Sequence, residues 1–557
     1  MPRRRWTSPA ALIVYSAVSF LYFGLRLLLE SGRQYIGPFD DPQIVIWAFG
    51  WFPHAILHGE NPLVTPTLWA PVGINLTWST TVPGLSLLVS PLTLLIGPFA
   101  TYNVVAILMP ALAAWTAFLL CRHLTRSFWP SFAGGYLFGF SSYMFGHLQG
   151  HVHMSAVFLV PLVALVVLRY IEGELSGRGL VVRLGPLLAL QLLFSTELIF
   201  TLTLALSGGL LLALAIVPNR RRRILSSIGP LVAAYAVAGV LTSPFLYYAA
   251  RGLHTAAYVP PQQYVADLLN FFIPTNLELA GNGWSHAITK HFQGNDTENG
   301  AFLGPAALVI VAWFAWRRRR TTGGRFLVAA FALTVFFALG SELHVAGHRV
   351  LPLPWIVVIH QPLWDNVLTV RFAMYISLVL GVIVALWTAS RPTRSTLRWL
   401  LPGLAMLALV PNPWAKTWAT TYTIPRFFTD SAYRSCLRPN EIILPEPISV
   451  GGESMLWQVA NGFRFRMAGG RIQQVPPSPF MHPDTIALIS GGYDLRPGQA
   501  GLLRAYIHAK GVTTVVVDKS RSRRWTPVLD RIAKRQDVDG VFLYRVAGNT
   551  ENCSGAA

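Results

Sequence analysis

Charge is scarce in this sequence. Only 12% of its 557 residues are Asp, Glu, Lys or Arg, against 53% in the apolar set, and the mean hydropathy is +0.47. A soluble domain carries about 25% charged residues, so a chain built wholly for water is excluded. Acids are scarcer than bases, 24 against 44, which leaves a formal charge of +20. Lysine is nearly missing, with five of the 44 basic residues, a bias expected of a GC-rich bacterial genome. The three cysteines stand at no zinc-binding spacing. Cys436 and Cys553 share the C-terminal segment, where a disulfide and two free thiols are both compatible with the sequence. The chain has no G-x-x-x-x-G-K-[ST] loop, which excludes a P-loop nucleotide site. Internal repeats and low-complexity tracts are also lacking.

What the sequence does hold is a series of apolar runs about 20 residues long, the length of a transmembrane helix. The first, AALIVYSAVSFLYFGLRLLL at 10–29, has no small-residue cleavage site behind it and reads as an anchor. The short links PRRRW, RHLTR, RYIEGELSGRGLVVR, NRRRR, RRRRTTGGR and RPTRSTLR together hold 20 basic residues and two acids. Short basic loops between apolar spans mark the cytoplasmic side. The positive charge is thus a topology signal, and no compact basic domain with stacking aromatics points to nucleic acid. Threading the spans with these links inside makes 30–82 and 250–300 external loops and predicts 11 to 13 crossings. Residues 82–121 look like two crossings where the charge rule asks for an odd number. The expected fold is mainly α: a polytopic transmembrane bundle over 1–411, with an extracytoplasmic α/β domain over 412–557. In that domain NEIILPEPISV, TTVVVD and GVFLYRV read as strands, while AGLLRAYIHAKG and WTPVLDRIAKR read as helices.

With this threading the chemically active side chains gather on the external face. They are Asp40, Asp41, His54, His58, His147, His151, His153, Glu197, Lys290, His291, His344, His348 and Arg371. Polar groups near membrane depth are costly and tend to line sites. After Asp41, PQIVIWAFGWFPHAILHG is too short and too aromatic to span, which predicts a helix lying at the membrane interface. One of the two acids then caps that helix and the other is free to act as a base. His147, His151 and His153 form H-x3-H-x-H, a pattern open to metal binding, substrate hydrogen bonding or service in a bend flanked by Gly146 and Gly150. Glu197 stands at the outer bend FSTE, as a site-lining residue or a solvated one.

The layout, with GPFDDP, HGENPLVTPTLWAPVGINL, FGFSSYMFGHLQGHVH, FSTE and LTVRF, resembles the GT-C superfamily of bacterial integral membrane glycosyltransferases. The resemblance implies transfer of a sugar from a polyprenyl-phosphate donor to a glycan, lipid or protein acceptor of the cell envelope, by an inverting single displacement. It implies a multi-pass inner-membrane protein in contact with the bilayer, active on the extracytoplasmic side. The first-loop acid, Asp40 or Asp41, becomes the catalytic base or a metal ligand. Arg371, with Lys290 as an alternative, faces the donor phosphate. No Asp-x-Asp pattern is present, so a divalent cation (Mg or Mn) stays an open expectation. One carboxylate suffices because the leaving lipid phosphate needs no acid, whereas a glycosidase needs two. The rival reading is a non-enzymatic transporter or flippase of lipid-linked saccharides, which favours charges buried mid-span. A third is a scaffold with a receptor-like external domain.

Overall fold

The computed structural model describes residues 7–29, 32–38, 41–252, 263–361, 364–390, 395–430, 432–447, 452–472, 477–481, 499–547 and Cys553. The chain divides into two units whose membership does not follow chain order. One takes in residues 1–30, 104–243 and 254–418, the other residues 31–103, 244–253 and 419–557.

The first unit is a multi-pass helical bundle. Ser8–Leu29, Pro98–Thr125, Val152–Ile171, Gly177–Phe194, Thr196–Ile216 and Thr369–Ala389 are each long and apolar enough to cross a membrane. A seventh crossing is available to Pro218–Leu225 and Ile228–Leu241, a pair bent by 43°. The remaining apolar sequence forms shorter helices, among them Phe128–Gly139, Pro305–Arg318, Thr322–Ala338 and Leu397–Ala408. Residues 82–121, where the crossing number was open, hold one spanning helix, the 28-residue Pro98–Thr125. It follows Pro83–Leu88 and Ser90–Ile96, of six and seven residues, neither long enough to span. Gly97, at φ +81°, makes the break before the long helix, a backbone state that glycine adopts without a Cβ penalty.

Between helices in a bilayer there is little hydrophobic drive, so close approach by small residues supplies the packing. Gly134 of Phe128–Gly139 and Gly381 of Ala373–Ala389 show this. A Cβ on Gly134 would stand 2.5 Å from the Gly381 carbonyl oxygen, and the converse distance is also 2.5 Å. On the outside of the bundle the side chains are apolar, with Leu211 67% and Val240 74% exposed.

The second unit is built on a five-stranded mixed sheet. Its order is Arg535–Val538, Val541–Arg545, Thr514–Asp518, Ile442–Glu446 and Arg466–Met467. The first two pairings are antiparallel and the last two parallel. Strands expected within 440–450, 513–518 and 540–546 are present as Ile442–Glu446, Thr514–Asp518 and Val541–Arg545, and the expected helix is Ala500–Ala509. WTPVLDRIAKR differs from its helical reading. Only Thr526–Leu529 is α-helical, and the chain beyond it becomes the edge strand Arg535–Val538. Asp539 and Gly540, at φ +40° and +89°, form the two-residue turn that folds this strand onto Val541–Arg545.

The helix Asp41–Leu57 belongs to this unit and corrects the interfacial expectation. Trp47, Trp51 and Phe52 are each 0% exposed, within one core that also contains Trp457, Phe463 and Val515. Trp47 stacks on Trp51 at 5.6 Å and donates its indole N–H to Gln458 Oε1 at 2.7 Å. An interfacial helix keeps a polar face. This one is apolar on every side, the pattern of a helix surrounded by protein. Cys436 and Cys553 form a disulfide that closes a separation of 117 residues, deciding the alternative the sequence left open.

Candidate active site

Inside the bundle, three carriers of charge meet. Arg371 lies on the 3-10 turn Thr369–Phe372 that opens the span ending at Ala389. Its Nε and Nη2 donate to the two oxygens of Glu298, at 3.0 and 2.5 Å. Its Nη1 donates to Glu197 Oε2. Glu197 occupies the first turn of Thr196–Ile216, whose N-cap Ser195 accepts from Leu198 N at 3.2 Å. The fork of a guanidinium matches a carboxylate bidentately. Here it holds one carboxylate with two nitrogens and a second with the third.

Glu298 reaches this position because two glycines let its loop close onto the helix Ser142–Leu148. A Cβ on Gly146 would meet the Thr297 carbonyl oxygen at 2.1 Å, and one on Gly300 would meet Tyr143 Cα at 2.7 Å. Asn295 Oδ1 accepts from Glu298 N at 3.1 Å, and Asn270 Oδ1 from Ala301 N at 2.9 Å, fixing the loop on either side. The same helix carries His147, whose ring lies 4.2 Å from that of Tyr143. Gly150, at φ +116°, turns the chain so that His151 precedes the short helix Val152–Ser155. His147 Nε2 then stands 4.0 Å from Glu298 Oε2, and His151 Nδ1 stands 3.7 Å from Glu298 Oε1. The rings of His151 and His153 are 5.8 Å apart.

The electrostatics follow from burial. Removal from water works against a charged Glu298, whose side chain is 4% exposed. The Arg371 guanidinium, then His147, outweigh that penalty and hold the carboxyl well below the usual carboxylate range. Three buried polar atoms around the cluster have no hydrogen-bond partner: His147 Nδ1, His153 Nδ1 and Glu197 Oε1. Unpaired buried polar atoms cost free energy and call for a functional explanation. His147, His151 and Glu298 offer ligand atoms that all lie within 4.8 Å of one another. Two imidazoles and a carboxylate form a donor set suited to a divalent cation, so the residues present fit such an ion.

The structure therefore joins Arg371, Glu197, His147 and His151, with His153 beside them, from three separated stretches of sequence. It adds Glu298, which sequence reasoning missed. The available signal was the TENG text between two glycine-bounded segments, in a loop read only as polar. The other candidates lie elsewhere. Lys290 is an exposed residue at the C-terminal end of Gly283–Thr289. His54 and His58 stack on each other at 4.1 Å in the second unit, and His54 packs on Phe463. Burial, then the neighbouring His58, pushes His54 down to about 4, which keeps it neutral. Asp41 opens its helix with a 44% exposed side chain 3.2 Å from Arg471 Nη2. Asp40 lies outside the described residues.

Bundle and sheet unit together define a class. The chain has the GT-C fold of polytopic membrane glycosyltransferases that its sequence resembles. The oligosaccharyltransferase of Archaeoglobus fulgidus in its apo form matches with TM-score 0.54 and 12% identity, over 98% of this chain and 75% of that one. The arabinofuranosyltransferase AftD from Mycobacteria matches with TM-score 0.55 and 15% identity, over 98% of this chain and 40% of that one. ArnT from Cupriavidus metallidurans, bound to undecaprenyl phosphate, matches with TM-score 0.50 and 11% identity, over 99% and 98%. No curated protein matches the chain. By its sequence the chain belongs to the family described as domain of unknown function (DUF6311), whose model covers residues 12–411.

Proposed function

We propose that this protein is a membrane glycosyltransferase that moves a sugar from a polyprenyl-phosphate donor to an acceptor on the extracytoplasmic side. The observation that carries the reading is the cluster of Arg371, Glu298, Glu197, His147 and His151 within an otherwise apolar bundle, with Glu298 and His147 buried and the other three half-buried. Desolvated charge of this density is costly and is retained where it does work on a ligand. The GT-C fold and the undecaprenyl phosphate bound to ArnT support a prenyl-linked donor. The Cys436–Cys553 disulfide supports an oxidising, extracytoplasmic setting for the second unit.

The chemistry needs a base for the acceptor hydroxyl and positive charge for the departing lipid phosphate. Arg371 has five N–H donors and spends three on carboxylates. Two remain for a phosphate, but one guanidinium against two carboxyl groups leaves no net positive charge. A divalent cation, when bound by His147, His151 and Glu298, supplies the missing charge. Arg371 keeps Glu298 ionised and oriented for that task, and Glu197 fixes the guanidinium from its other edge. The base remains assigned to the acidic doublet of the first external loop, Asp40 or Asp41.

The test is full-length protein in liposomes with a panel of polyprenyl-phosphate sugars, scored for free carrier lipid. Release by the native protein, lost on chelation and in Glu298→Gln, is expected. Asp40→Asn or Asp41→Asn should abolish release with the fold intact, and activity in both would remove the base assignment. Movement of an intact lipid-linked saccharide across the bilayer without cleavage would instead establish the transporter.

A further inference from the structure

The bundle contains a second feature that the transfer reaction does not use. An apolar groove of about 710 Å³ runs among the spans Pro98–Thr125, Val152–Ile171, Thr196–Ile216 and Thr369–Ala389 and the helix Thr322–Ala338. Along the span ending at Ala389 its walls extend from Phe372 to Leu386, about 21 Å at the helical rise. One end is walled by aromatics: Phe372 stands 5.3 Å from Phe337 and 5.6 Å from Tyr375. The other end reaches Arg318, Thr321 and Gly324. Arg318 is the sole charged residue among the described residues of the lining.

The floor of the groove explains why it must be filled. Gly208 and Gly209 stand side by side on Thr196–Ile216. Where this bundle uses glycine for helix packing, an added Cβ collides, as at Gly134 and Gly381. At Gly209 an added Cβ meets nothing within 4 Å, and at Gly208 only Leu333 Cδ2 at 3.5 Å. These glycines bring no helix closer. They widen an apolar trough that close-packed matter does not leave vacant.

We infer that the groove holds an acyl chain of an anionic glycerophospholipid, with its phosphate at Arg318. Charge complementarity selects this occupant. Arg317, Arg318, Arg319, Arg320 and Arg325 are all exposed at that end, and no ion pair to a carboxylate involves them among the described residues. Basic pockets between spans recognise anionic headgroups in this way, and the chain beneath needs only apolar walls. The end nearer Arg371 is lined by the aromatic rings of Phe337, Phe372 and Tyr375, whereas the cation of the lining, Arg318, stands at the other end, so a phosphate at Arg318 places its chain in the groove from that side. The lipid holds Thr322–Ala338 against Thr196–Ile216 and so supports, from the far side, the helix that carries Glu197. This inference stands whether or not the glycosyl-transfer reading holds.

The experiment is native mass spectrometry of the full-length protein released from nanodiscs of equal phosphatidylcholine and phosphatidylglycerol. Preferential retention of phosphatidylglycerol is expected, falling about fivefold in Arg318→Gln, the effect of one arginine facing an anionic headgroup. Gly209→Trp, whose ring fills the trough, should lower retention of both lipids while Arg318→Gln lowers only the anionic one. A folded Arg318→Gln protein with native retention would overturn the inference. So would equal retention of the two lipids, or displacement of phosphatidylglycerol by added undecaprenyl phosphate at equimolar level.

Discussion

The two units solve opposite solvation problems with the same chain. In the sheet unit Trp47, Trp51, Trp457 and Val515 are fully buried, while Lys519, Arg521 and Asp537 face water. In the bundle Leu211 and Val240 face outward, while Arg371 and Glu298 are enclosed. The difference teaches where function can be read. In water, burying apolar surface is the driving force, so an aromatic core needs no functional explanation. Within an apolar bundle an enclosed ion cluster gains nothing from that force and must be held by partners or ligands. The buried charges of the bundle are therefore the functional signal, and the buried tryptophans of the sheet unit are not.

This contrast can be broken experimentally. The largest effect is expected from Arg371→Gln, which leaves buried Glu298 and half-buried Glu197 together without their cation. Stability should fall by about 3–5 kcal/mol, read as a thermal midpoint in detergent, with transfer lost. Trp47→Ala should cost a similar amount, about 3–5 kcal/mol, through lost apolar burial and the cavity left behind, together with the lost hydrogen bond to Gln458. Proteolysis should then report opening of the sheet unit. A third comparison places the same charge on both surfaces. Leu211→Arg, on a lipid-facing span, should cost about 2–3 kcal/mol. Leu502→Arg, 43% exposed on Ala500–Ala509, should stay within about 0.5 kcal/mol. Equal costs would remove the distinction between the two surfaces.

A smaller effect is set by pH. Glu278 is fully buried, and burial pushes its carboxyl up to about 7 against the hydrogen bonds it accepts from Ser142 and Thr275. The folded state then holds a proton that the unfolded state releases at lower pH. Its contribution is present in acid and is lost as pH rises from about 4.5 to about 7. Glu278→Gln should flatten the thermal midpoint across that window, and an unchanged slope would remove the assignment. Smallest of all, Lys290→Ala should leave stability within about 0.5 kcal/mol and transfer unchanged, since Lys290 is exposed and apart from the cluster.

Much of this was legible beforehand for physical reasons. Apolar runs of span length mark a multi-pass chain because lipid tolerates few alternatives, although among the described residues six helices, or seven with the bent pair, have the length to span where 11 to 13 crossings were expected. The strands at Thr514–Asp518 and Val541–Arg545 are short apolar runs bounded by turn residues. His147, His151, Glu197 and Arg371 stood out because charge is rare in such a chain. Glu298 did not, because an acid in a polar loop is ordinary until Gly146 and Gly300 let that loop close on a helix. The helix Asp41–Leu57 misled in the opposite sense, since tryptophan and phenylalanine suit an interface and a protein core equally well. The edge strand Arg535–Val538 was hidden for another reason, since a short charged segment after a single helical turn carries no strand pattern.

By itself the sequence determined that the chain crosses a membrane many times and carries a water-facing α/β domain, because hydropathy and turn chemistry act locally and need no partner. Only the tertiary structure decided which carboxylate meets Arg371, whether Cys436 and Cys553 pair, and which tryptophans are core. Those outcomes depend on approach between segments distant in the chain, and the geometry of approach is set by missing side chains, as at Gly146 and Gly300, rather than by any pattern along the sequence.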